Sequence, residues 1–179
     1  SPSYYYHPGQ GSGSSVWIIT LGGGRGCKSI EECNQWLIDS PARVGSLKRQ
    51  PYKNGHGILS DDKSKNPYFF NANRIYIPQC SADMWIGNDQ TENLQFRSSN
   101  IVKSVIQDIF DKFDKQKDKE TKKKVLLAGS SAGCIGEAYH LDWLAGHLGD
   151  RADVRGLCDG GLFLFENLYG HNSDKDHLL

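Results

Sequence analysis

Apolar positions recur along the chain with two different periods. Val16 to Leu21 reads Val-Trp-Ile-Ile-Thr-Leu, bounded by Gly11 to Ser15 on one side and Gly22-Gly23-Gly24 on the other. Such a β-branched run predicts a buried strand that ends in a glycine loop. Asn73 to Ile77, which Pro78 stops, and the short runs Val125 to Ala128 and Val154 to Cys158 have the same character. None of the four is joined to the next by hairpin spacing. Between the last three the period lengthens. Ile101, Val105, Ile109 and Phe113 step by four with Val102, Ile106 and Phe110 beside them, and charged residues fill the opposite face, which predicts an amphipathic helix. Cys134, Ala138, Leu141, Ala145 and Leu148 predict a second helix that starts near Ala132 and stops at Gly149. Strand, helix, strand, helix, strand over 73 to 158 is the pattern of a mostly parallel sheet with crossover helices. The fold class is α/β, with the functional edge expected at the C-terminal ends of the strands.

Composition narrows the function classes. With 179 residues, 37% of them hydrophobic, the chain has enough apolar surface for one domain with a real core. Twenty-one basic and 21 acidic side chains cancel, so no net field draws nucleic acid or an anionic membrane. The mixed-charge run from Asp111 to Lys124 reads as a solvated helix end and linker. No apolar stretch reaches the roughly 18 residues of a membrane span. The first residue is Ser1 and the sole methionine is Met84, so the chain is expected to be processed or cut from something longer. Cys27, Cys33, Cys80, Cys134 and Cys158 are an odd set without a Cys-x-x-Cys pair, against a zinc knuckle. Cys27 and Cys33 could pair across a short loop, and the count alone fits a secreted chain with one odd thiol as well as a reduced intracellular one.

The chemistry concentrates at Gly129-Ser130-Ser131-Ala132-Gly133. A bare Gly-x-Ser-x-Gly is weak in a chain with 20 glycines. Here it follows the apolar run ending at Ala128 and precedes a predicted helix, the strand-turn-helix setting of a nucleophile elbow. Small neighbours let a serine sit on a sharp turn, and the Ala132 amide then lies at a helix N-terminus, where it can stabilise an oxyanion. The competing reading is that Ser131 caps the helix. A second oxyanion donor is expected from a glycine-rich loop after an earlier strand, the place held by Leu21 to Cys27. A phosphate-binding loop is the alternative there, but no Gly-x-x-x-x-Gly-Lys-Ser/Thr is present.

Several blocks in one order resemble the pectin acetylesterase and Notum family of carboxylesterases, and more the Notum branch. They are Ser1 to Tyr5, the glycine loop ending in Cys27 with Cys33 beyond it, Gly57 to Ser60, Asn66 to Asn73, Ile77 to Trp85, Leu126 to Gly133, and Val154-Arg155-Gly156-Leu157 through Phe163-Leu164. The resemblance implies a secreted serine hydrolase of the α/β-hydrolase type. Notum removes a lipid acyl ester from Wnt proteins, and the plant relatives remove acetyl groups from pectin. It assigns the nucleophile to Ser131 and the oxyanion donors to the backbone amides of Gly24, Arg25 and Ala132.

Two departures matter. The family reads Leu-Glu-Gly-Gly-Trp before its first cysteine, where this chain has Leu21-Gly22-Gly23-Gly24-Arg25. A backbone donor survives that change. An arginine at the mouth, however, costs an apolar acyl chain favourable contact unless the guanidinium turns to solvent. The family also continues well beyond Phe163, and its catalytic acid and histidine lie in that continuation, outside this chain. Asp159 with His171 or His177 stands in an allowed order, but the resemblance assigns them no such role, and His56, His140 and His147 read as surface or helix residues.

The expectation is therefore a single partial α/β-hydrolase domain over residues 1–179, the half that holds nucleophile and oxyanion loop, incomplete at its C-terminus. It would act on an ester in an acylated protein or acetylated glycan, without metal, organic cofactor or nucleic acid. A hydrolase-fold protein that binds such acylated partners without cleaving them is the alternative.

Overall fold

All four apolar runs become strands and lie side by side. The computed structural model describes residues 3–43, 45, 49–91, 94–114 and 122–161. In chain order its elements are β1 (Tyr5–His7), β2 (Val16–Leu21), α1 (Ile30–Asp39), β3 (Asn73–Ile77), β4 (Asp89–Gln90), β5 (Gln95–Phe96), α2 (Ser98–Asp114), β6 (Lys123–Ser130), α3 (Ala132–Leu148) and β7 (Ala152–Asp159), with short 3₁₀ turns between some of them. Strands β4 and β5 form a separate two-stranded ladder, and the main sheet has the order β1-β3-β2-β6-β7. Its four long strands are parallel, and β1 runs antiparallel on the β3 edge. Three residues are too few to show a period, which is why β1 has no signature in the apolar pattern. No described helix is long and apolar enough to cross a membrane.

Strand alternation sorts the core. Trp17, Ile19, Leu21, Ile75, Ile77, Val125 and Leu127 join one apolar cluster with Val102, Val105, Ile106, Ile109 and Phe110 of α2 and Leu144 and Leu148 of α3. Each fully buried large apolar side chain contributes about 1.5–3 kcal/mol. The stripe on α2 matches the sequence expectation. That on α3 does not: Ala138 and Ala145 are exposed, whereas Gly136, Glu137, His140 and Leu144 are buried. The helix is covered from a second side by the segment around Trp85, whose contacts no local period encodes. The expected linker is also shorter, because Lys123 and Lys124 are already in β6, paired with Ala152 and Asp153 on β7. Lysine stems can lie along a sheet while the ammonium reaches out.

The connections place the functional edge. From β2 the chain moves to β3 on one side, while from β6 it moves through α3 to β7 on the other. The C-terminal ends of β2 and β6 therefore flank a topological switch point, where a crevice opens in such sheets. The glycine loop leaves β2 there and Ser131 leaves β6. A disulfide joins Cys134 on α3 to Cys158 on β7, with Cα atoms 4.9 Å apart, and a second joins Cys27 to Cys33. Cys80 is free.

Closing the Cys134–Cys158 loop, a sequence separation of 24, restricts the unfolded chain and is worth about 3 kcal/mol. Replacing both cysteines by alanine in the full-length protein should lower the unfolding free energy in urea by that amount. A double variant as stable as wild type would show that the bond contributes nothing.

Candidate active site

At Ser130 the chain leaves β6 and reverses through Ser131 into α3. Ser131 has φ 52° and ψ −121°, a region that costs a non-glycine residue about 1–3 kcal/mol. Its neighbours hold it there. The Ser131 N–H donates to the Asp159 carbonyl at 3.1 Å, and the Cys134 N–H donates to the Ser131 carbonyl at 2.9 Å. A Cβ on Gly129 would collide with the Gly133 carbonyl, and one on Gly133 with the carbonyl of Leu21. The turn thus fits only with glycine at both positions. The Ser131 side chain makes no capping bond to α3 and is exposed, so the helix-cap reading does not describe it. Ala132 opens α3 and is fully buried, at the end where helix amides lack intrahelical acceptors and the dipole is positive.

The glycine loop leans over this turn. The Gly22 N–H donates to the Ile77 carbonyl at 2.9 Å. A Cβ on Gly23 would stand 3.1 Å from the Ser130 carbonyl oxygen and 3.4 Å from the Ser131 Cβ, so this is a loop residue that packs directly on the serine. Gly24 continues past the Gln79 side chain, with which a Cβ would collide. Gln79 is buried and its Nε2 has no partner among the described residues. Arg25 is exposed, and its guanidinium stands 6.0 Å from the centre of the Trp36 ring. The cation is thus drawn toward α1.

Helix α1 is short, and its start carries a capping signal at Ser29. The Ser29 hydroxyl accepts from the Glu32 N–H at 3.2 Å, and the Glu32 carboxylate accepts from the Lys28 N–H at 2.7 Å, close to the reciprocal Ser-x-x-Glu arrangement. Glu31 and Glu32 in its first turn complement the helix dipole and disfavour a bound phosphate there.

A turn over residues 82–85 buttresses the loop from behind. The Trp85 indole N–H donates to the Gly22 carbonyl at 3.0 Å, and the Cys27 N–H donates to the Ala82 carbonyl at 3.2 Å. Asp83 accepts at its carboxylate from the Trp85 and Ser98 backbone N–H groups and from the Ser81 and Ser98 hydroxyls. His140, 1% exposed, lies 2.8 Å from the Trp85 carbonyl through Nε2; a carbonyl only accepts, so Nε2 carries the proton. Burial holds its pKa below the usual histidine value, partly opposed by that bond. Burial likewise raises the carboxyl of Glu137, which faces Gly156 on β7.

None of these groups is a base for Ser131, whose hydroxyl has no hydrogen-bond partner among the described residues. His7 is bonded to Arg74, His56 is exposed and His147 stacks on Trp143. Asp159 contributes its carbonyl to the elbow, and His171 and His177 lie outside the described residues.

A mostly parallel sheet with a serine elbow after one strand and a glycine loop after its neighbour defines an α/β-hydrolase-like protein. The chain belongs to the pectinacetylesterase family, whose model matches residues 1–177. It is 33% identical over 172 residues to pectin acetylesterase 4 of Arabidopsis thaliana, covering 91% of this chain and 39% of that protein. Identity is 37% over 166 residues to palmitoleoyl-protein carboxylesterase notum2 of Xenopus laevis, covering 89% and 33%. The solved structure of the Wnt deacylase Notum from Drosophila superposes with a TM-score of 0.80 at 29% identity, over 91% of this chain and 47% of that one. The chain thus spans between 33% and 39% of the length of these two curated relatives.

His140 makes stability depend on pH. The unfolded chain takes up a proton near pH 6.5 (about the free histidine value), whereas the folded site resists it. A depressed folded pKa gives stability that is present above the unfolded value and lost as pH falls toward the folded one, with a limiting slope of about 1.4 kcal/mol per pH unit. Urea unfolding should show lower stability at about pH 5.5 than at about pH 7.5, and His140→Gln should flatten that part of the profile. An unchanged profile in that variant would assign the loss to other groups.

Proposed function

We propose that the protein is a serine carboxylesterase that hydrolyses an O-acyl ester through an acyl-enzyme on Ser131. The observation that carries this reading is the strained, uncapped Ser131 at the C-terminal end of β6 with the glycine loop packed on it. In this reading Ser131 Oγ attacks the ester carbonyl while its proton passes to a histidine base. The alcohol leaves with that proton, and water then cleaves the acyl-serine by the reverse proton path. The charge that develops on the carbonyl oxygen meets the amides of Gly24, Arg25 and Ala132. Losing one such donor costs about 2.7–4 kcal/mol of barrier. The histidine and its carboxylate partner are assigned to the region C-terminal to Phe163, as the family resemblance implies, and residues 1–179 form the nucleophile- and oxyanion-bearing part of one domain.

The substrate class follows the relatives, whose names span palmitoleoyl-protein and pectin acetyl esters. Arg25 supports keeping the lipid acyl group among them, because its guanidinium rests on Trp36 and does not by itself close the mouth to an apolar chain. Two disulfides support a secreted protein, since such bonds persist in oxidising compartments.

A fluorophosphonate probe applied to the full-length protein should label it covalently, and Ser131→Ala should abolish both labelling and ester turnover. A correctly folded full-length protein that neither labels nor turns over ester would sink the esterase reading and favour a non-catalytic binder of acylated partners.

A further inference from the structure

The turn over residues 82–85 is built at a cost that the fold alone does not require. Ala82, Met84 and Trp85 have φ of 51°, 52° and 76°, left-handed values that disfavour any residue with a Cβ. Only a surrounding that over-determines the backbone keeps three such residues in a run of four. Asp83 supplies part of it, since its carboxylate gathers four donors from Ser81, Trp85 and Ser98. Packing supplies the rest. Trp85 is 1% exposed, and a Cβ on Gly136 of α3 would come within 2.5 Å of its own Cβ. The elbow helix therefore carries a glycine where the tryptophan presses against it, and His140 on the same helix holds the Trp85 carbonyl.

What the turn holds is the glycine loop, at both ends. At the start the Trp85 indole N–H bonds the Gly22 carbonyl, and at the finish the Ala82 carbonyl receives the Cys27 N–H. The first bond has a geometric consequence. In a planar trans peptide the C=O of one residue and the N–H of the next point in opposite directions. By fixing the Gly22 carbonyl, the indole fixes the direction of the Gly23 N–H, and Gly23 is the residue that packs on Ser131.

We infer that Trp85 is a positioning residue: anchored to the elbow helix through His140 and Gly136, it sets the glycine-loop amides against Ser131. The inference rests on the esterase reading above. Trp85 does not touch the reacting atoms. It transmits the position of α3, and so of the nucleophile, to the loop that would receive the oxyanion. The indole bond is a catalytic asset only if the loop has to be rigid when charge develops, because preorganised donors lose their advantage when they must reorient.

Trp85→Phe in the full-length protein keeps an aromatic ring and removes the indole N–H. With a p-nitrophenyl ester, kcat should fall about 10- to 100-fold while KM stays within about threefold. The inhibition constant of a trifluoromethyl ketone, which forms a tetrahedral oxyanion on the serine, should weaken by the same factor as kcat. Amide hydrogen exchange over residues 22–27 should accelerate while the peptides of β6 keep their protection. Ala82→Gly relieves the left-handed strain and loosens the turn, so it should lower kcat without lowering the melting temperature, an outcome that a purely structural role does not give. This second variant decides the matter if Trp85→Phe does not fold. Unchanged exchange in the loop, or faster exchange with kcat and inhibitor affinity intact, overturns the inference and leaves the esterase reading standing. A wild type that turns over no ester overturns the esterase reading, and the positioning role with it.

Discussion

The pairing of β2 with β6 is the constraint on which the candidate site depends. Six residue pairs run in parallel register from Val16 opposite Lys124 to Leu21 opposite Gly129. The last pair ends β2 at Leu21 one residue before β6 ends at Ser130, so the glycine loop and the elbow leave the sheet at nearly the same height. Gly133 then abuts the Leu21 carbonyl and Gly23 abuts Ser131. A slip of one residue would turn Trp17, Ile19 and Leu21 away from α2 and α3 and separate the two loops at once. The buried side chains that make such a slip expensive therefore also fix how the two loops meet at the strand ends.

Much of this was legible in the sequence, because strand and helix periods report burial directly. The four long strands, the helices α2 and α3, the elbow at Ser131 and the stop at Gly149 all follow from local patterns. Gly149 does adopt φ 52° at the end of α3. What local patterns do not carry is contact between distant residues. Trp85 and Gly22 are 63 positions apart, and nothing in the residue types Ala82, Met84 and Trp85 announces a left-handed backbone. His140 was hidden for a related reason. The apolar stripe through Ala138 and Ala145 suggested that it faces outward, whereas the turn over 82–85 covers α3 from that side. The capping signal at Ser29 and Glu32 is local, and it marks the start of α1, where Ile30, Cys33 and Trp36 step by three and the last two are buried.

The elbow lies at the N-terminal end of α3, where the helix dipole is positive. Ala132 is the first residue of that helix, and Gly23 and Gly24 of the glycine loop are exposed and carry no side chain. The cation nearest in sequence, Arg25, is engaged with Trp36. In the proposed esterase reading, a negative oxygen formed beside Ser131 meets backbone donors, which need no side-chain reorganisation. Burial biases both buried ionisable groups behind the site, His140 and Glu137, toward their neutral forms.

Backbone strain is concentrated around the glycine loop. Among the described residues, the non-glycine positions with positive φ are Ala82, Met84, Trp85 and Ser131, and all four lie in the two turns that face each other across the glycine loop. The long strands and helices accept ordinary conformations, so the strain is not a general looseness of the chain. Among the described residues it is confined to the turn over residues 82–85 and the turn at Ser131, and strain of this kind clusters at functional sites. The two disulfides sit at the same places. Cys27–Cys33 closes the glycine loop onto α1, and Cys134–Cys158 ties the first turn of the elbow helix to β7 beside the Asp159 carbonyl that holds Ser131. Covalent cross-links next to each strained segment limit the local opening by which it would relax, so the core supplies the stability and the cross-links keep it concentrated at the site.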